Sequence, residues 1–114
     1  MNDLEKRLSI LKSDLTTTWQ KLQITQKIAK LEDLERQISE PELWQNPENA
    51  KKVNTSFSRL KSEVEPWQML EMQTSDLQEI LELQEPDLVS EINDQLTSME
   101  QTLAGLNKAL RFTN

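Results

Sequence analysis

Leu4, Leu8, Leu11, Leu15, Thr18 and Leu22 recur at alternating steps of four and three, the spacing that aligns side chains along one stripe of an α-helix. Trp19 lies beside that stripe. Asn2 or Asp3 can cap its start, and Asp3 and Glu5 suit the positive end of the helix dipole. The phase slips near Gln23 and Ile24, and Thr25 offers a new cap. The pattern therefore predicts a second helix that turns Ile28, Leu31, Leu34 and Ile38 inward. One continuous helix, bent at that point, is the competing reading.

From Ser39 to Ala50 the heptads give way to a corner carrying Pro41, Trp44 and Pro47. Each proline follows a residue suited to capping and falls in a first helical turn, where its missing N–H removes no helical bond. Ser39 with Glu42 fits a capping box, and Trp44, set between two helix starts, is expected to plug the corner. Beyond it, Ala50, Val53, Phe57, Leu60, Val64, Trp67, Thr74, Leu77 and Leu81 sustain a stripe over about nine turns. Pro66 interrupts the backbone bonding but not the phase, which predicts a kink near Ser62 to Pro66 rather than a stop.

A last helix opens at Glu85-Pro86-Asp87 and carries Val89, Ile92, Leu96, Met99, Leu103, Leu106 and Leu110. Gly105, in its later half, marks either a close approach of helices or a weak point. Short connections make sequence neighbours antiparallel. The predicted fold is all-α: an elongated up-and-down bundle of three to four helices with a Pro/Trp corner, one domain over residues 1–114.

Composition narrows the chemistry. The chain has no cysteine, histidine or tyrosine and a single glycine, which removes thiol nucleophiles, imidazole bases, disulfides, the common zinc and haem ligands and any glycine-rich phosphate loop. The carboxylates that remain are expected on solvated helix faces. The expectation is a binding module without enzymatic activity, cofactor, metal or small-molecule ligand. No apolar run has membrane-spanning length and no secretory leader is evident, so no membrane contact and a cytoplasmic location are expected.

Charge is unevenly spread. Residues 1–61 hold eleven Lys or Arg against nine acids, whereas residues 62–107 hold eleven acids and no base. The acidic half repels nucleic-acid phosphate and favours a basic protein surface, with Glu79, Glu82, Glu91 and Asp94 as candidate partner contacts. Lys27, Lys30, Lys51, Lys52 and Arg59 offer local approach to RNA. A solubility skin is the plainer reading of such a charge run.

The run from Lys30-Leu31-Glu32-Asp33-Leu34-Glu35 through Pro41-Glu42-Leu43-Trp44, Asn46-Pro47-Glu48 and Ala50-Lys51-Lys52-Val53 to Val64-Glu65-Pro66-Trp67 resembles the amino-terminal helical domain of the bacterial peptide chain release factor 2 family. The pattern Pro41-x-x-Trp44-x-x-Pro47 belongs to that branch rather than to its sister, release factor 1. Leu106, Leu110, Arg111 and Phe112 resemble the point where the family's chain leaves this domain.

The resemblance implies a parent protein that acts in translation termination, entering the ribosome at UAA or UGA. It implies a first domain directed toward the stalk base of the large subunit and communicating with the class II release factor GTPase, while the approach to ribosomal RNA rests on the basic residues alone. The family's Gly-Gly-Gln and Ser-Pro-Phe motifs are absent from these residues, so no catalytic or codon-reading position carries over. Leu22-Gln23 stands where the family often has Leu-Asp at a frameshift site. The competing assignment is a structural helical repeat of the spectrin type or a coiled-coil adaptor. The proline-bracketed corner and the internal Pro66 argue against uninterrupted spectrin helices.

Overall fold

The computed structural model describes residues 2–111, so the expectation placed on Phe112 and on the Arg111 side chain lies outside the described residues. The fold is all-α. Four α-helices follow in order among the described residues: α1 (Asn2–Lys21), α2 (Ile24–Ser39), α3 (Pro47–Glu82) and α4 (Val89–Arg111). Short 3-10 turns at Pro41–Gln45 and Pro86–Leu88 connect the last three. The chain divides into two compact units, one made of Met1–Thr18 with Met69–Asn114, the other of Trp19–Gln68.

In the first unit the helical stripes close on one another. Leu4, Leu8, Leu11 and Leu15 of α1, Leu70, Leu77 and Leu81 of α3, and Ile92, Leu96, Met99 and Leu103 of α4 are buried, each fully buried leucine contributing about 1.5–3 kcal/mol through removal from water. Thr74 is buried among them and donates its hydroxyl to the Glu71 carbonyl at 2.8 Å, so its polar atom is satisfied. Arg7 reaches Asn93, Thr97 and Glu100 on the facing helix. Gln73 and Asp76 border a pocket with Gln95, Ser98 and Met99. Asp3 and Leu4 line one pocket with Val89 and Ser90, and Leu11 and Asp14 another with Leu103 and Asn107, so advancing along α1 advances along α4, while α3 runs the other way: an up-down-up arrangement in which sequence neighbours α3 and α4 are antiparallel.

The second unit is a helical hairpin of α2 and the first half of α3, preceded by the end of α1. Lys27, near the start of α2, pairs with Glu63, late in this part of α3, which fixes the two as antiparallel. The predicted break between α1 and α2 is present. Gln23 turns the chain in the left-handed region (φ 57°), and α2 begins at Ile24, whose side chain is fully buried. Thr25 does not cap the helix. Its hydroxyl instead accepts the Trp19 indole N–H at 2.9 Å, joining the last turn of α1 to the first of α2.

The corner departs from expectation in two ways. Ser39 closes α2 rather than opening a new helix, and its hydroxyl donates to the Glu35 carbonyl at 3.0 Å, so the capping box with Glu42 does not form. Capping passes to Asn46, whose Oδ1 accepts the Asn49 N–H at 3.2 Å ahead of Pro47 at the start of α3. Trp44 is no plug, for the residue is 54% exposed. The indole N–H donates to the Ile38 carbonyl at 3.0 Å, satisfying one of the acceptors that a helix end leaves free and laying the ring along the surface. Ala50 is the buried residue of the corner.

Helix α3 runs without a break through Pro66. At the two ends of α4, Val89 and Leu110 lie exposed rather than in the core stripe. Gly105 does not mark a close approach: a Cβ there would meet nothing within 4 Å. Its weak-point reading is the one that fits, since glycine in a helix interior costs backbone entropy. Gly105→Ala is therefore expected to raise stability by about 0.5–1 kcal/mol, read as a higher denaturant midpoint at constant slope. A fall in the midpoint would contradict the open surroundings of this residue.

Candidate functional site

The acidic flank is assembled from helix ends. Glu79 and Glu82 stand on the last turns of α3, and Glu91 and Asp94 on the first turns of α4, all exposed and all within the first unit. The connection between them adds exposed Glu85 and Asp87. Among the described residues none of these carboxylates forms an ion pair, and only Glu91 accepts a side-chain hydrogen bond, from Gln95 at 3.4 Å.

Helix electrostatics separates the two pairs. Glu91 lies in the first turn of α4, where the dipole favours a carboxylate. Glu79 and Glu82 occupy the negative end of α3, whose last turn holds no basic residue. A carboxylate there opposes the dipole by roughly 0.3–1 kcal/mol. That placement does not add to the stability of α3. Taken by unit, the first unit holds twelve acids against five bases and the second eight of each, so the net charge of −7 resides in the first.

The other candidate residues do not gather into one place. Pro41, Trp44 and Pro47 form the corner of the second unit, while Pro66 and Trp67 lie in mid-helix, with Trp67 buried at 3% exposure. Of the basic residues considered for RNA, Lys27 is engaged by Glu63, whereas Lys30, Lys51, Lys52 and Arg59 are exposed.

Sequence reading missed Arg7. Its guanidinium grips Glu100 through two bonds, Nη2 to Oε1 at 2.6 Å and Nε to Oε2 at 3.3 Å, and also donates to Asn93 Oδ1 at 2.6 Å and Thr97 Oγ1 at 3.1 Å. Hydrogen bonding to Glu100 raises the Arg7 pKa above its ordinary value, although arginine stays charged without such help. The legible signal was positional: Arg7 precedes core Leu8, and Asn93, Thr97 and Glu100 each follow a core residue of α4, as flanking residues of facing stripes do.

Close by, an open groove of about 1030 Å³ runs between α1 and the start of α4, with Leu4, Ile10, Pro86 and Val89 as apolar lining and Asp3 and Lys6 among its charged borders. Among the described residues no group of three or more His, Cys, Asp or Glu is placed to hold a metal ion, and no helix is long and apolar enough to cross a membrane. The arrangement leaves charged and apolar surface exposed.

Comparison with known proteins bears on the family of the chain. The family model described as the PCRF domain matches residues 27–113. The chain belongs to the PCRF domain family. It is 45% identical to peptide chain release factor RF2 of Thermus thermophilus over 62 residues, which is 54% of this chain and 16% of that protein. It is 31% identical to peptide chain release factor 2 of an Exiguobacterium species over 105 residues, 90% of this chain and 28% of the relative. With peptide chain release factor 2 of Chloroflexus aggregans it shares 28% identity over 106 residues, again 90% of this chain, and 29% of the relative. The PCRF chain thus spans only a minor part of each of these relatives and resembles their amino-terminal helical region.

Proposed function

We propose that this chain is the accessory helical domain of a codon-specific peptide chain release factor, acting in translation termination at UAA or UGA in the cytoplasm. The match to the PCRF domain over residues 27–113 carries the reading. Within it the domain does no chemistry of its own. It contributes affinity and position, docking its acidic flank on a basic protein surface at the stalk base of the large ribosomal subunit or on the class II release factor GTPase. The concentration of net charge in the first unit and the unpaired Glu79, Glu82, Glu91 and Asp94 support that mode of contact.

Converting Glu79, Glu82, Glu91 and Asp94 to their amides is expected to weaken binding to large ribosomal subunits and to flatten its dependence on salt, because exposed charges act through screened, long-range attraction. Folding is expected to change little: relief at the end of α3 offsets the loss at the start of α4, each change being within about 0.5 kcal/mol. Docking on ribosomal RNA predicts the opposite sign, since fewer carboxylates mean less repulsion from phosphate. Binding measured at two salt concentrations separates the cases, and unchanged or tighter binding of the amide variant would overturn the protein-surface contact.

A further inference from the structure

Helix α3 carries a second stripe, distinct from its core face. Met69, Met72, Asp76, Glu79 and Leu83 follow one another at steps of three and four, all exposed and all in the first unit. Leu83 stays in the helical turn through its N–H bond to the Ile80 carbonyl at 3.1 Å. The three apolar members are 52%, 51% and 64% exposed, a concentration of large apolar side chains on one helix face that core packing does not explain. The stripe extends over about 20 Å at 1.5 Å per residue.

We propose that this stripe is the docking face for a basic amphipathic helix of a protein partner. The proposal rests on the reading of the acidic half as a protein-docking flank and adds the form of the partner. Met69 and Met72 at one end and Leu83 at the other give a line about four turns long that suits the apolar face of a helix, with flexible methionines able to repack against it. Asp76 and Glu79 interrupt the line, and residues 62–107 hold no base, so the partner's flanking positions must be Lys or Arg. A second copy of this chain would set carboxylate against carboxylate, and an anionic membrane would meet the same repulsion.

The test uses two synthetic peptides of identical Leu and Lys composition, one ordered so that a helix segregates its leucines on one face, the other scrambled so that it does not. The chain is expected to bind the segregated peptide at least tenfold more tightly, and a variant carrying M69Q, M72Q and L83Q is expected to lose that preference. Circular dichroism is expected to show the variant folded, because all three side chains are more than half exposed. A second variant, D76N with E79Q, is expected to keep the preference while losing much of the salt dependence.

Equal binding of both peptides, or a preference that survives the triple change, would overturn the proposal. So would concentration-dependent self-association of the unaltered chain that the triple change abolishes, which would identify a second copy as the occupant. Ribosome binding by the four-amide variant is a separate readout: its failure would remove the acidic-flank reading, whereas failure of the peptide preference alone would remove only the helical partner.

Discussion

Trp67→Ala is expected to lower the unfolding free energy by about 3–5 kcal/mol, and Trp44→Ala by only about 1–2 kcal/mol. The two tryptophans share a helix-rich setting but not an environment. Trp67 is 3% exposed, flanked along its stripe by buried Val64 and Leu70, so truncation removes the largest apolar side chain from that stretch and leaves a cavity that surrounding helices can fill only in part. Trp44 is 54% exposed and loses chiefly its hydrogen bond to the Ile38 carbonyl and half its contact area. Against roughly 5–15 kcal/mol available to a domain of this size, the first change is a large fraction and the second is tolerable. Urea titration of both variants decides the matter. A loss below about 1.5 kcal/mol for Trp67, or above about 3 kcal/mol for Trp44, would reverse the assignment of anchor and surface residue.

The stripes were legible because apolar spacing depends only on the helix period, which the four helices obey. Leu4 to Leu15, Val64 to Leu81 and Ile92 to Leu103 fall in the core where the pattern puts them, although the α3 stripe steps from Trp67 to Thr74 and passes over Leu70, the side chain at the intervening turn. The corner was legible as a corner but not in its detail. Ser39 and Glu42 have the residue types and spacing of a capping box, yet α2 persists to Ser39 and claims its hydroxyl, so the local signal yields to the length of the preceding helix.

Trp44 shows a similar limit. Size and apolarity argue for burial, whereas the free carbonyl at the end of α2 offers its N–H a partner only at the surface. The Arg7 network joins positions 86 to 93 residues apart, and nothing short of knowing that α1 and α4 run side by side pairs them. In the candidate site the four carboxylates are exposed as solvated residues should be, but the opposition of Glu79 and Glu82 to the α3 dipole becomes visible only once the helix is seen to end at Glu82. The apolar stripe beside them was hidden because Met69, Met72 and Leu83 lie only a step or two from positions of the core stripe on the same helix.

Pro66→Ala is expected to stabilise the chain by about 2 kcal/mol. Proline in a helix interior costs about 3 kcal/mol through the lost backbone bond and the clash with the carbonyl one turn back, here that of Ser62. Alanine restores that bond inside α3, which is already helical on both sides of the site from Pro47 to Glu82. The offsetting loss is smaller: proline restricts the unfolded chain, and replacing it returns about 0.4–1 kcal/mol of entropy to that state. The opposing possibility is that the ring sets a bend on which the burial of Val64, Trp67 and Leu70 depends, so that a straighter α3 would pull those side chains out of register. Denaturant titration gives the sign. A higher midpoint means that the helix bears Pro66 as a local cost, and a loss of more than about 1 kcal/mol would mean that the core of α3 is built around a proline bend.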